Sequence, residues 1–169
     1  MNDRIQIIDN VFSEEILNEI LQFTQSDVTP EQYSLKELDK DIVPAGIQYL
    51  FDYASKIDDL TTTKYLEFWK HQNASPSWHF DCDEIWLQQT GEYSFALNTI
   101  IFYPEIVGLK GGDLLTEDIK ITPKTNRMVI LAPGIWHCVE PITEGSRLSL
   151  NINPWHYRIE TIGDSHIQL

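Results

Sequence analysis

From Thr61 to Asn153 the chain is written in short runs rich in Thr, Tyr, Ile, Val, Phe and Trp, separated by Gly, Pro, Asn and Asp. This pattern constrains the fold more than any other feature. β-Branched and aromatic side chains suit a pleated, half-buried surface, and the separating residues supply turns. The expected strands are Lys64–Lys70, Ser77–Phe80, Phe95–Tyr103, Asp113–Thr116, Arg127–Leu131, His137–Glu140 and Ser146–Asn153. Many short strands with turn signals between them predict a sandwich or barrel. Arg127–Leu131 is almost continuously apolar, as in a strand buried on both sides. Pro133-Gly134 and Gly111-Gly112-Asp113 mark turns that return the chain to the sheet.

The first third reads as helical. Ser13 can cap a helix whose first turn carries Glu14 and Glu15, which complement the helix dipole. Phe12 and Leu17 stand at staple spacing around that cap. Ile16, Leu17, Ile20 and Leu21 make one apolar stripe. A second helix is expected to start near Pro44, with Ile47, Leu50, Phe51, Ala54 and Ile57 on its buried side. Helices followed by strands predict an α+β, mainly β chain in which N-terminal helices pack on one sheet. A length of 169 residues suits a single domain 1–169, with 1–60 as helical support and 61–157 as the β core.

The formal net charge is -14. Such a surface repels phosphate backbones, so no nucleic acid partner is expected, and a basic peptide or basic small substrate is favoured. No apolar run is long enough to span a bilayer, and Met1-Asn2-Asp3-Arg4 does not open a signal peptide. Cys82 and Cys138 make no disulfide framework. The expected protein is soluble and cytoplasmic, in a reducing compartment.

Chemistry concentrates in Ser77-Trp78-His79-Phe80-Asp81. In extended backbone, residues i and i+2 share a face. His79 and Asp81 therefore project together, and Trp78 and Phe80 point the other way. An isolated His-x-Asp is more often a surface pair than a metal site. A third ligand would come from a distant strand, and His137 is the best candidate. Two His and one carboxylate on one side of a metal leave positions open, the arrangement used for Fe(II) oxygen chemistry. His71, His156 and His166 lack such context and are read as non-ligands. Cys82 and Cys138 fall on the opposite face and are read as small buried groups.

Arg147-Leu148-Ser149-Leu150-Asn151-Ile152-Asn153 alternates strictly. Leu148, Leu150 and Ile152 face one way; Arg147, Ser149, Asn151 and Asn153 face the other. A polar row inside a barrel is costly unless it binds something. Arg147 offers a planar fork matching a carboxylate, with the Ser149 hydroxyl two residues on. The same row could equally be the solvated face of an edge strand.

Taken together, His79-x-Asp81, His137 and Arg147-x-Ser149 resemble the Fe(II)/2-oxoglutarate-dependent dioxygenases. The block Asn126–Pro133, followed by His137-Cys138-Val139-Glu140-Pro141 and Gly145-Ser146-Arg147, looks like the second half of their double-stranded β-helix. Gly111-Gly112-Asp113-Leu114 resembles the Gly-Gly-acidic-Leu turn of the prolyl 4-hydroxylase-like branch, and Ile7–Ser13 resembles that branch's strand-to-helix entry. The resemblance implies a jelly-roll core with helices on one sheet. It implies Fe(II) on His79, Asp81 and His137, and 2-oxoglutarate with its far carboxylate on Arg147, helped by Ser149. The implied reaction consumes O2 and 2-oxoglutarate, releases succinate and CO2, and hydroxylates a peptidyl residue, proline among the options, or a small molecule. Relatives often place a tyrosine on a middle core strand against the cofactor. Here Phe95–Tyr103 offers Asn98, Phe102 and Tyr103, and Trp69 stands where many relatives have tyrosine. Tyr65, Trp69, Asn98 and Asn151 are candidate secondary cofactor contacts, each equally readable as core or wall.

The segment Cys82–Tyr93, with Glu84, Trp86, Gln88, Gln89 and a Gly91 hinge, could be a substrate lid. The competing reading is a cupin-type metal-binding β-barrel without 2-oxoglutarate chemistry. Cupin sites use more histidines and have no dicarboxylate clamp, so Arg147-x-Ser149 favours the oxygenase.

Overall fold

The computed structural model describes residues 4–25, 31–34 and 43–159; His166 lies outside them. Strand β1 (Ile5–Asp9) leads into helix α1 (Glu14–Gln25), then strand β2 (Glu31–Ser34) and helix α2 (Ala45–Ala54). Next come β3 (Tyr65–Gln72), helix α3 (Glu84–Thr90), β4 (Thr99–Gly111), β5 (Leu114–Thr116), β6 (Lys120–Ile121), β7 (Arg127–Leu131), β8 (His137–Val139) and β9 (Ile142–Trp155). No helix among the described residues is long and apolar enough to cross a membrane.

Among the described residues the strands form two antiparallel sheets. The larger has the order β1-β7-β4-β9-β3-β2, the smaller β6-β5-β8. Alternation along each strand gives the large sheet two different faces. On one face Leu66, Phe68, Ile100, Phe102, Met128, Ile130, Leu150 and Ile152 join Ile20 of α1 and Ile47, Leu50 and Ala54 of α2 in one apolar cluster. Each such fully buried aliphatic side chain contributes roughly 1.5–3 kcal/mol of burial. On the other face Ile101, Tyr103, Val129 and Leu131 pack against Leu114 and Ile121 of the small sheet. The two sheets therefore face each other. Arg147, Ser149 and Asn153, on the β9 row opposite to Leu150 and Ile152, are buried.

The helices follow from local chemistry. The Ser13 hydroxyl accepts the Ile16 amide at 3.4 Å, and Phe12 and Leu17 both lie against the helix-side cluster. In α2, Gly46 lets the two helices approach: a Cβ there would sit 2.7 Å from the Phe23 ring. Asn126, with φ 61, takes the Phe12 amide on its Oδ1 and donates from Nδ2 to the Phe12 carbonyl. This clip ties the start of α1 to the turn before β7.

The structure corrects several expectations. The first sixty residues are not helical throughout, because β1 and β2 form the two edges of the large sheet. Ser77–Phe80 is not a regular strand; it meets β8 only through a bridge between His79 and His137. Cys82–Tyr93 contains α3, capped by Asp83, whose side chain accepts the Trp86 amide, and closed by Gly91 at φ 74. The second and last long strands extend past the expected ends, carried by bulges between β4 and β9.

Candidate metal centre

His79, Asp81 and His137 come together at one edge of the gap between the sheets. Their ligand atoms all lie within 4.8 Å of one another. The bridge does the positioning: the His79 amide donates to the His137 carbonyl at 2.9 Å, and the reverse bond is 3.1 Å. It sets the two rings 4.3 Å apart, centroid to centroid. His79 Nε2 is 3.7 Å from Asp81 Oδ1, and His137 Nε2 is 3.7 Å from Asp81 Oδ2.

The second nitrogens fix the tautomers. His79 Nδ1 lies 2.7 Å from the Ser77 carbonyl, and His137 Nδ1 lies 2.9 Å from the Ile135 carbonyl. A carbonyl can only accept, so each Nδ1 carries its hydrogen and each Nε2 is the nitrogen turned toward Asp81 and left for a metal. Burial holds the His137 pKa below the ordinary value, against the pull of Asp81, which favours the neutral imidazole a metal needs. The Thr99 hydroxyl donates to Asp81 Oδ2, orienting the carboxylate. The His137 side chain is 4% exposed, Asp81 18% and His79 36%, so the group is closed on one side and open on the other. That is the donor set and openness of a two-histidine, one-carboxylate Fe(II) site.

Trp78 and Phe80 turn away from the group. Phe80 packs on Trp136 at 4.5 Å and on Tyr93 and Phe95, and Trp78 stacks on Trp136 at 6.1 Å. Burial pushes the Cys82 thiol up to about 11 and raises that of Cys138 as well. Both are therefore neutral thiols near neutrality in the metal-free chain.

Arg147 is 2% exposed and, among the described residues, has no carboxylate partner. Its Nη1 donates to the Gly112 carbonyl at 2.7 Å and its Nη2 to the Ala74 carbonyl. Its Nε is buried with no partner. Two of five N–H groups are thus committed, and a buried cation with free donors suits a carboxylate ligand. Asn151 Oδ1 on the same row is also buried without a partner.

The remaining candidates fall in different places. Ser149 is buried on the inner row. Trp69 pairs across the sheet with Asn151 and stacks on His71. Tyr65 packs against the cluster of Ala96 and Trp155. Asn98 is not brought to the group: its amide nitrogen donates to Asp58 Oδ2, 3.0 Å away, beyond the end of α2. Phe102 turns to the helix side, edge-on to Phe12. Tyr103 faces the inter-sheet gap, 1% exposed, and lies within electrostatic reach of Arg147; burial pushes its hydroxyl up to about 12. Of the three residues offered by this stretch, Tyr103 alone shares the gap with Arg147.

Sequence reasoning missed Glu67. It sits on the inner row of β3, 8% exposed. Its Oε2 accepts from Asn153 Nδ2 at 3.2 Å and Trp155 Nε1 at 3.3 Å. Burial is the main cause that lifts its pKa to about 7, with the nearby Asp81 charge adding to it. The signal was a lone glutamate between Leu66 and Phe68, a polar residue inside an apolar strand.

No family model matches this chain, and no curated protein matches it. Solved structures do. A prolyl-4-hydroxylase from Pseudomonas putida superposes with a TM-score of 0.61 at 14% identity, covering 95% of this chain and 89% of that one. A collagen prolyl hydroxylase from Paramecium bursaria Chlorella virus-1, solved with 2-oxoglutarate, gives 0.55 at 14% identity, with coverages of 90% and 96%. A prolyl hydroxylase from Trichoplax adhaerens, in complex with a hypoxia inducible factor peptide fragment, gives 0.55 at 14% identity, with coverages of 92% and 84%. The chain thus has the fold of the prolyl 4-hydroxylases and other 2-oxoglutarate–Fe(II) oxygenases.

Proposed function

We propose that this protein is an Fe(II)- and 2-oxoglutarate-dependent dioxygenase that hydroxylates a peptidyl residue or a small molecule. Its two sheets are read as a double-stranded β-helix, and residues 1–169 as one domain. The observation that carries the proposal is the pairing of a two-histidine, one-aspartate cluster with a buried guanidinium that has no acid of its own. Either feature alone has an ordinary structural reading. Both in one inter-sheet gap, in a fold shared with oxygenases of this type, fit a metal and a dicarboxylate together.

The residues present fit both groups. His79 Nε2, His137 Nε2 and Asp81 would hold the metal, and the open His79 side leaves positions for other ligands. Ser77 and Ile135 carbonyls keep the imidazoles aimed by holding their Nδ1 hydrogens. Arg147 and Tyr103 would take the far carboxylate of 2-oxoglutarate, with Ser149 and Asn151 along its length. Leu114, Val129 and Leu131 keep water from that end of the gap. When bound, Fe(II) and 2-oxoglutarate supply the activation of O2, coupled to release of succinate and CO2.

Incubation with Fe(II), ascorbate and 2-oxoglutarate in air tests this. The wild type should form succinate slowly even without a substrate, and Asp81→Ala should form none while keeping its circular dichroism spectrum. Turnover retained in Asp81→Ala would mean that the metal lies elsewhere.

A further inference from the structure

The gap between the sheets holds a second uncompensated charge. Among the described residues, Glu67 has neutral donors only: Asn153 and Trp155. An isolated carboxylate is costly to bury, and neutral donors offset only part of that cost. A carboxylate also has about four acceptor sites, and two donors, both on Oε2, leave the rest unused. Beside it, Asn153 donates from its Nδ2 to the Glu67 carboxylate. Its Oδ1 is then an acceptor, and that atom is buried with no partner. Two acceptors with spare capacity therefore adjoin each other on the inner row; Asn153 follows Ile152, which pairs with Ile100 beside Thr99, and the Thr99 hydroxyl donates to Asp81 of the metal-binding group.

The row now reads as two complementary halves. Among the described residues, Arg147 at one end is a buried cation without an acid partner, and at the other Glu67 and Asn153 are a buried carboxyl group and an acceptor without a basic one. Register places them on neighbouring strands, with Glu67 opposite Asn153 and Trp69 opposite Asn151.

We propose that Glu67, with Asn153 Oδ1, reads the substrate, and that the substrate presents a cationic nitrogen there: an ammonium or a guanidinium. This rests on the oxygenase reading for its meaning, since the bound nitrogen would set which C–H faces the metal. A group with several N–H donors and a positive charge meets both spare acceptors at once. The net charge of -14 would draw such a substrate in.

The probes are butylammonium chloride and 1-butanol, which differ by the charged head. Each is titrated by calorimetry into metal-free protein and into protein loaded with Mn(II) and 2-oxoglutarate, so failure of the metal reading and failure of this one are seen separately. The wild type should prefer butylammonium by about tenfold or more, and Glu67→Gln should cut the preference to about threefold or less, for a buried charge pair. Mn(II) affinity, read by electron paramagnetic resonance, should stay within about threefold in that variant. Glu67→Asp should restore part of the preference. Equal binding of the two probes by the wild type overturns the proposal without any variant. So does a Glu67→Gln protein that keeps the preference, or one that loses Mn(II) affinity while keeping it, since Glu67 would then serve the metal and not the substrate.

Discussion

At the residue scale, the site is built on buried ionisable groups that have no counter-charge among the described residues. Truncating Arg147 to Ala removes the cation meant for the cofactor carboxylate. A buried, hydrogen-bonded charge pair is worth about 2–5 kcal/mol, so the 2-oxoglutarate dissociation constant should rise roughly 30-fold or more, as measured by calorimetry with Mn(II) present. Tyr103→Phe should weaken the same constant by a smaller factor. Glu67 predicts a pH dependence. Its folded pKa is raised to about 7 from 4.5, so the folded state holds this proton more tightly than the unfolded chain. The linked stability is present below about 4.5 and is lost as pH rises through about 7; 1.36 kcal/mol per unit sets it at up to about 3 kcal/mol. Metal-free wild type should therefore lose melting temperature across that window relative to Glu67→Gln; parallel curves would contradict the burial argument. The proximity of His79 to Asp81 was legible because two-residue spacing in extended backbone is a local rule. The choice among Asn98, Phe102 and Tyr103 was not, because it depends on where the strand begins and which sheet face it meets.

At the element scale, tight turns set the position of β9 and so of Arg147. Gly145 has φ 76, and a Cβ there would lie 2.2 Å from the Val107 carbonyl oxygen. Gly145→Ala must therefore shift the β4–β9 pairing two residues from Arg147. It should cost about 1–3 kcal/mol in urea unfolding and weaken 2-oxoglutarate binding together. Loss of stability with binding unchanged would separate the turn from the clamp. Asn126→Ala removes both bonds to Phe12 and a left-handed backbone residue of favourable type, and should cost about 1–3 kcal/mol by the same measurement. The helices α1 and α2 were legible from a cap and a stripe. The short α3 was not assigned, although Asp83, Glu84 and Gly91 are ordinary start and stop signals. None of its seven residues is fully buried, and only Ile85 and Leu87 are half-buried, so there was no apolar stripe to see.

At the scale of the whole molecule, helices cover one face of the large sheet, and the other face is closed by the small sheet around Leu114 and Ile121. The switch from helical to strand patterning at Thr61 made the mainly β class legible. The edge strand β2 was hidden because a short edge strand carries little pattern of its own, and β1 was anticipated only through the strand-to-helix resemblance of Ile7–Ser13. This architecture brings residues 79, 81 and 137 to one edge of the gap and buries residue 147 within it, and the account stands or falls on both ligands binding there at once. The direct measurement is an anaerobic titration of the purified protein with Fe(II) and 2-oxoglutarate, followed by visible absorption. The account predicts a charge-transfer band that saturates at one iron per chain, disappears in Asp81→Ala, and needs a higher 2-oxoglutarate concentration in Arg147→Ala. A folded wild-type protein that develops no band, or a band undiminished in Asp81→Ala, would contradict it.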